Sequence, residues 1–315
     1  MEEQGLILWT PGLIERAGKR AFDAYFTFFA EAIPNPRTRK AYMTDFARFS
    51  RWCDERGFVL EQLTTLHFAA YREVLMKEMT LPSVKRHFSA LRTIFSALVE
   101  KGVLDRNPVR EVKLQAYRGE GKTPALRPEE VKQLLDSIDG NSAIGLRDKA
   151  LISLLAYSFA RIGAALQMKV KDFYPLGVTW YIRLHEKGGR ERQLPCHHLL
   201  ADALNDYIKR CGLEGQPDLP LFRSVQGKKG SLTTKPLGPR SALEMIYRRT
   251  KGAGIHGRFC CHTFRATGIT TFLENGGSLE TAQFIAGHAD SRTTKIYDRR
   301  DRLATQSDIE RIRYG

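Results

Sequence analysis

Apolar residues recur at helical spacing through the first third of the chain. A repeat of three to four residues places apolar side chains on one helix face, so the pattern predicts a small helical bundle. Pro36 and Pro82 fall near predicted helix starts and Gly57 and Gly102 near predicted ends, as helix boundaries prefer. The three apolar stripes are Phe22, Tyr25, Phe26 and Phe29; Tyr42, Phe46, Phe49 and Cys53; and Val84, Phe88, Leu91, Phe95 and Leu98.

This periodicity stops between Lys113 and Ala125, where the sequence KLQAYRGEGKTPA gathers glycine, proline and charge. Such composition predicts a linker. A length of 315 residues also favours two domains, each with its own core. We therefore expect a helical domain over residues 1–112, a linker over 113–125 and a second domain over 126–315.

The second domain changes its pattern along the chain. Pro128 marks a helix start, and LRDKALISLLAYSFARIGAALQM predicts a buried helix, a turn and a second short helix. VTWYIRLHE and ERQLP then flank KGGR, which predicts a β-hairpin with Lys187 and Arg190 in its turn. Further helices are expected around 201–209, 240–250, 262–274 and 278–286, with a short one holding Tyr297. The predicted fold is mainly α with a small β-hairpin or sheet.

The formal charge of +15 points to a polyanionic partner, of which nucleic acid is the commonest. In the last helix of the first domain, Lys85, Arg86 and Arg92 lie away from the apolar stripe, and Lys85 and Arg92 share a face. Two interpretations stay open for these cations, a DNA-contacting face and an ordinary solvated surface.

Cysteine usage and the start of the chain bear on metal and location. The five cysteines never occur as C-x-x-C, which argues against a disulfide framework and a zinc ribbon. The triplets at 196–198 and 260–262 do not converge easily on one ion, so we predict no metal. The first residues lack the order of a signal peptide, and no apolar run approaches a membrane span. We expect a cytoplasmic, nucleoid-associated protein with no membrane partner.

Six side chains could act together on a phosphodiester. They supply two guanidiniums, one ammonium, two imidazoles and one phenol, and they are Arg161, Lys187, His262, Arg265, His288 and Tyr297. Two arginine forks can hold non-bridging oxygens in place of divalent ions, so the set fits phosphoryl transfer without metal or other cofactor. The flanking residues predict that Arg161 is buried. Taken singly, Arg161 and Arg265 are compatible with structural ion pairs and His262 with a capped helix.

Tyr297 lies among Arg292, Lys295, Arg299 and Arg300. A phenol is a suitable nucleophile because its phosphate ester preserves the energy of the broken DNA linkage. Its pKa of about 10 leaves roughly one molecule in a thousand ionised at neutral pH. We expect the surrounding positive charge to hold DNA and to favour the phenolate.

Four segments, in this order, resemble the catalytic domain of the tyrosine recombinases, the phage-integrase family: YSFARIGAALQM, HEKGGRERQLP, HTFRATG and IAGHADSRTTKIYDR. RTRKAYMTDFARFSRWCDERG, followed by two helices, is similar to the helical, SAM-like core-binding domain that precedes it in such proteins. The resemblance implies a mixed α+β catalytic domain and a two-domain clamp around duplex DNA. It covers nearly the whole chain.

The resemblance also implies roles. Arg161 and Arg265 would clamp the scissile phosphate, and His262 would complete that clamp or exchange a proton with the phenol. Lys187 would protonate the departing 5′ oxygen. His288 would stabilise the transition state, and Tyr297 would attack to form a 3′-phosphotyrosyl intermediate. Further DNA contacts are expected from basic residues of both domains, namely Arg39, Lys40, Lys85, Arg86, Arg92, Arg190, Arg292 and Lys295.

In the resembled family four protomers act on two double-stranded DNA sites through a Holliday junction. We therefore expect a homotetramer on DNA, a monomer or weak dimer when free, and a possible accessory directionality protein. The tail with Ile309 and Ile312 would dock on a neighbouring protomer, or fray. One position departs from the family pattern, because Ala164 stands where an acidic residue usually follows the first arginine by three.

Two other functions share parts of this pattern. A type IB topoisomerase uses similar chemistry but reseals the original strands. A catalytically silent DNA-binding regulator would keep the fold without needing all six groups. Their presence together favours an active DNA strand transferase.

Overall fold

A computed structural model describes residues 10–115, 123–186, 189–227, 230–298 and 310. The chain divides into two compact units, Met1–Arg118 and Gly119–Gly315. Each unit has its own hydrophobic core. The elements are mainly helices with two small antiparallel sheets, which confirms the predicted fold class. Every helix in the described part of the chain is too short or too polar to span a bilayer.

The first unit is the predicted helical bundle. Its α-helices are α1 (Gly12–Arg16), α2 (Gly18–Thr27), α3 (Pro36–Asp54), α4 (Thr65–Glu78) and α5 (Leu81–Glu100). A π-helical turn, Phe28–Ala32, extends α2, and a short 3₁₀ helix, Leu60–Gln62, precedes α4. The Asn35 side chain begins α3 by accepting hydrogen bonds from the backbone N–H groups of Arg37 and Thr38.

Aromatic rings fill the core of this bundle. Phe46, Phe49 and Phe95 from two predicted stripes are fully buried, together with Phe68 of α4. The rings of Phe49 and Phe68 stack with centroids 4.7 Å apart. Because rings in such contact contribute beyond their buried area, α3, α4 and α5 are held as one block. Phe22, Phe26 and Tyr42 lie at the margin of the core.

The second unit alternates helices with short strands. Its helices are α6 (Pro128–Asp136), α7 (Ala143–Ser158), α8 (Ile162–Gln167), α9 (His198–Arg210), α10 (Pro239–Gly252), α11 (Cys261–Glu274), α12 (Leu279–Ala286) and α13 (Ser291–Lys295). A 3₁₀ turn spans Val170–Asp172. Helix α7 is buried almost all round, as its apolar sequence predicts.

The predicted hairpin is present and belongs to a larger sheet. Strands β2 (Thr179–His185) and β3 (Glu191–Pro195) pair antiparallel, and β1 (Phe173–Leu176), which the sequence analysis missed, pairs with the other edge of β2. A second hairpin, β4 (Arg223–Gln226) with β5 (Ser231–Pro236), was also missed. Ile182, Leu184 and Leu194 face the core, which fixes the register of β2 against β3.

A close contact between α7 and α11 positions the end of α7. The residue after α7, Phe159, has a left-handed backbone (φ 53°), a strained conformation for a side chain of this size. Helix α11 approaches through Gly268, where an added Cβ would lie 2.4 Å from the carbonyl oxygen of Ala156 and 2.5 Å from the Phe159 ring. A glycine is therefore required for this helix contact.

Substituting Gly268→Ala should destabilise the second unit. The methyl group would force α7 and α11 apart, and such overpacking costs about 1–3 kcal/mol. Gly252→Ala is the matched control, because nothing lies within 4 Å of its added Cβ. Urea unfolding should show a lower midpoint for Gly268→Ala and an unchanged or raised one for Gly252→Ala. Equal midpoints for both variants would contradict the assignment.

Candidate active site

The start of α11 carries two of the predicted residues, one turn apart on one face. His262 reaches solvent, whereas Arg265, one turn later, is 0% exposed. Arg265 Nη1 donates to the carbonyl oxygen of Phe159, and Nη2 donates to that of Ala286 at 2.6 Å. Its Nε–H has no acceptor among the described residues. Arg265 thus links the ends of α7 and α12 to the site.

Tyr297 lies against this face. Its hydroxyl is 2.9 Å from His262 Nε2, and its ring is buried. The predicted short helix is present but ends at Lys295, so Tyr297 lies in the turn after it and not within it. This turn places the ring over the start of α11, and the Thr270 hydroxyl donates to the Tyr297 carbonyl at 3.3 Å.

His288 completes the surroundings of the phenol. It follows Gly287, which ends α12 in a left-handed conformation (φ 60°). The His288 ring is parallel to that of Tyr297, with centroids 6.2 Å apart, and its Nδ1 lies 2.8 Å from the Thr294 hydroxyl. The contact with Thr294 fixes the orientation of the imidazole beside the phenol ring.

Arg161 is placed differently from the prediction. Its side chain is 44% exposed rather than buried, and it forms an ion pair with Glu186, Nη1 to Oε2 at 2.9 Å. The left-handed turn at Phe159 ends α7 early, so Arg161 caps the start of α8 instead of continuing the buried helix. The ion-pair partner is a distant residue, 25 positions along the chain.

Lys187 lies outside the described residues. Strands β2 and β3 flank this position in the sequence, and the Glu186 backbone N–H donates to the Arg190 carbonyl at 2.8 Å. Arg299, Arg300 and the tail from residue 301 also lie outside, apart from Glu310. The structure therefore brings together Arg161, His262, Arg265, His288 and Tyr297.

Burial and charge shift the pKa values of these groups. Burial raises the pKa of Tyr297, and the charges of Arg265 and Arg161 oppose this rise without overcoming it. Positive charge thus favours the phenolate as expected, through Arg265 and Arg161, but in the DNA-free protein burial outweighs it. Burial, followed by Arg265 and Arg161, lowers the pKa of His262 and lowers that of His288 to about 3. Both imidazoles are neutral at pH 7.

The neutral His288 predicts acid sensitivity. The unfolded chain takes up this proton near pH 6.5, whereas the folded protein does so only near pH 3. The contribution of the neutral His288 to the free energy of unfolding is therefore complete above pH 6.5. It is lost as the pH falls from about 6.5 to about 3. Between pH 7 and pH 4, wild type should lose more stability than His288→Gln in urea unfolding, with the exposed His256→Gln as control. Parallel losses in all three proteins would contradict the prediction.

Burial also lowers the pKa of Arg265 to about 10, helped by the charges of Arg161 and Arg192. The guanidinium stays charged at neutral pH. Arg192 is a cation that the sequence analysis missed, as it missed Glu186, whose Oε1 accepts from Arg192 Nη2 at 2.8 Å. One signal in the sequence indicated that Arg192 and Glu186 belong to the site, namely their position on the predicted hairpin beside Lys187.

Several of the other predicted DNA-binding residues are bound to protein oxygens. Arg86 is ion-paired with Asp45, and Arg92 donates to the Val112 carbonyl at 2.6 Å. Arg292 pairs with Asp290, so its charge is not directed at Tyr297. The remaining positions are only partly buried or exposed: Arg39, Lys40, Lys85, Arg190 and Lys295. Their contact with DNA stays a prediction.

The two cysteine–histidine triplets have structural partners. His197 caps α9 by accepting the Leu199 backbone N–H at 3.2 Å, and its ring stacks on Tyr157. Cys260 precedes α11, where its backbone N–H donates to the Thr263 hydroxyl at 3.1 Å. Among the described residues, no group of three or more His, Cys, Asp or Glu side chains is arranged to hold a metal ion.

The model of the phage integrase family matches residues 124–303, more than half of the chain. The chain belongs to the phage integrase family. The resemblance seen in the motif order is thus confirmed, and with it the expectation of a tyrosine recombinase, an enzyme that transfers DNA strands.

Curated members of the family align over most of this integrase-family chain. A tyrosine recombinase of Pseudothermotoga lettingae is 29% identical over 82% of this chain and 85% of its own length. The tyrosine recombinase XerD of Listeria monocytogenes is 27% identical over 82% of this chain and 86% of its own. The alignments therefore extend beyond the second unit into the first.

Solved structures share the fold. XerH site-specific recombinase bound to a palindromic difH substrate matches with a TM-score of 0.69 and 20% identity, covering 90% of this chain and 82% of that one. A lambda integrase dimer bound to a COC′ core site matches with a TM-score of 0.66 and 18% identity, covering 90% and 96%. At such identities the likeness concerns the fold.

Proposed function

We propose that this member of the family is a site-specific recombinase whose nucleophile is Tyr297. The observation that carries the proposal is the 2.9 Å separation between the Tyr297 hydroxyl and Nε2 of a neutral His262, beside a buried Arg265. A neutral imidazole can accept the phenolic proton as the oxygen attacks. A raised pKa of the free phenol makes such a base necessary.

The reaction would proceed by in-line displacement at phosphorus. The Tyr297 oxygen forms the new bond to phosphorus while its proton passes to His262, and the bond to the 5′ oxygen breaks. Lys187 would give that oxygen a proton, so the leaving group departs as a hydroxyl. Arg161, through its exposed face, would stabilise the non-bridging oxygens, with His288 hydrogen-bonding beside them. Arg265 would add its charge and its Nε–H, which has no acceptor in the described part of the chain.

Rejoining would run the same steps in reverse. The phosphotyrosyl bond conserves the energy of the cut linkage, so the 5′ hydroxyl of another strand resolves it without ATP. Exchange of two strands gives a Holliday junction. A lambda integrase tetramer bound to a Holliday junction has the same fold, with a TM-score of 0.64 and 19% identity, which supports a homotetramer on DNA here.

The two units would both contact the duplex, with the basic residues of the helical unit adding affinity. Counterion release then makes binding fall steeply as salt rises. Arg86 and Arg92 already bind protein oxygens, so Lys40 and Lys85 are the better candidates among the predicted contacts of that unit. We propose that the protein acts at the nucleoid, where its substrate lies, and that a directionality protein is its accessory partner.

The proposal is tested with a suicide substrate. DNA flanking the gene is nicked close to each candidate site, so that cleavage releases a short strand and traps the phosphotyrosyl complex. We expect a denaturation-resistant adduct whose attached strand defines one recombination site, and joining of two intact copies of that site. Relaxation of supercoiled DNA without joining would instead indicate a type IB topoisomerase, and DNA binding without any adduct a silent regulator.

A further inference from the structure

One carboxylate joins three distant segments at the edge of the site. Glu186, the residue after β2, has an 11% exposed side chain. Its Oε2 accepts from Arg161 Nη1 at 2.9 Å, and its Oε1 accepts from Arg192 Nη2 at 2.8 Å. It also lies against Gly287, where an added Cβ would come within 2.8 Å of Oε2. The start of α8, the hairpin and the end of α12 therefore meet at Glu186.

The charges around this carboxylate repel one another. Arg192 is 9% exposed, and its Nε and Nη1 have no acceptor among the described residues. Burial lowers the pKa of Arg192, and the charge of Arg161 lowers it further, whereas Glu186 raises it. Glu186 thus compensates two guanidiniums that would otherwise move apart or attract a solvent anion.

Position 164 offers no alternative support. Ala164 is buried in α8, one turn after Arg161, and carries no group that could hold a guanidinium. Among the described residues, the carboxylate bonded to Arg161 comes instead from the hairpin. The same residue immediately precedes Lys187 in the chain, and its side chain joins Arg161 to Arg192 of β3.

We propose that Glu186 is a positioning residue that holds Arg161 in its phosphate-binding orientation and thereby replaces the acidic group absent at position 164. This inference rests on the proposed function. Removing a residue that orients a catalytic group by hydrogen bonding lowers activity about 10- to 100-fold. Glu186 acts through Arg161, so its effect should depend on that arginine.

A double-mutant cycle tests this dependence. The single-turnover rate of covalent complex formation is measured at saturating DNA for wild type, Glu186→Gln, Arg161→Ala and the double variant. We expect Glu186→Gln to lower the rate about 10- to 100-fold in wild type and less than about threefold in the Arg161→Ala background. Equal losses in both backgrounds, or no loss in wild type, would overturn the inference.

Two further variants separate positioning from folding. Glu186→Asp keeps the charge and should cleave at least about threefold faster than Glu186→Gln. Both rates are measured with Arg161 unchanged. Glu191→Gln removes an exposed carboxylate of the same hairpin that lies 3.2 Å from His185 Nδ1, and should leave the rate unchanged. Aspartate and glutamine variants of equal rate would overturn the inference.

The two proposals fail in different ways. If Arg161→Ala itself cleaves normally, the proposed function of the site is wrong. If Arg161→Ala is impaired but Glu186→Gln is not, only the role of Glu186 is wrong. Urea midpoints are recorded for every variant, and a Glu186→Gln protein that fails to fold is replaced in the cycle by Glu186→Asp.

Discussion

Replacing Tyr297 by phenylalanine should abolish covalent complex formation while DNA binding stays intact. The change removes one oxygen from a buried ring, so the packing around it is kept and the lost contact with His262 costs about 1 kcal/mol or less. Loss of a nucleophile lowers the rate at least about 10⁴-fold. The adduct on a suicide substrate is followed by denaturing electrophoresis, and affinity by fluorescence anisotropy.

The matched control is Tyr181→Phe, which removes a phenolic hydroxyl from the sheet, where the ring stacks on Tyr174. This variant should form the adduct at the wild-type rate. A Tyr297→Phe protein that still yields adduct would show that another residue attacks. A Tyr297→Phe protein that no longer binds DNA would show that the hydroxyl serves recognition.

Replacing Arg265 by lysine should impair both stability and cleavage. Lysine keeps the charge but cannot donate simultaneously to the carbonyl groups of Phe159 and Ala286 in the geometry of the planar fork. Hydrogen bonds from charged groups contribute about 1.5–3 kcal/mol each, so we expect the free energy of unfolding to fall by about 2–4 kcal/mol. Loss of the guanidinium at the phosphate should lower the cleavage rate at least about 100-fold.

Urea unfolding and single-turnover cleavage at saturating DNA measure the two effects separately. Arg292→Lys is the control for stability, because its exposed ion pair with Asp290 contributes at most about 1 kcal/mol. An Arg265→Lys protein with the wild-type midpoint would mean that the two carbonyl contacts are dispensable. One with the wild-type rate would mean that the guanidinium does not act on the phosphate.

Local patterns carried much of the fold. The stripe of Val84, Phe88 and Leu91 predicted α5 correctly because a helix needs only one apolar face to become buried. The hairpin between β2 and β3 was predicted because alternating residues flank a glycine turn. Strands β1, β4 and β5 were missed because each strand is only four to six residues long. A strand of this length is too short to show a clear period of two.

The site was predicted residue by residue but not contact by contact. Motif spacing identified His262, Arg265 and Tyr297, whereas burial of Arg161 was predicted from its apolar neighbours and proved wrong. Those neighbours continue into α8, and only the backbone reversal at Phe159 moves Arg161 to the surface. Reversals of this kind depend on packing against α11, which sequence periodicity does not report.

The sequence by itself determined the family and the helical class and supplied the groups proposed for the site, because these follow from residue types, their order and their spacing. The tertiary structure decided which groups meet and with what charge: Glu186 with Arg161, Tyr297 with a neutral His262, Arg265 with two helix ends. Desolvation and ion pairing depend on distances between residues far apart in the chain, so burial could raise the Tyr297 pKa despite the cations near it in sequence.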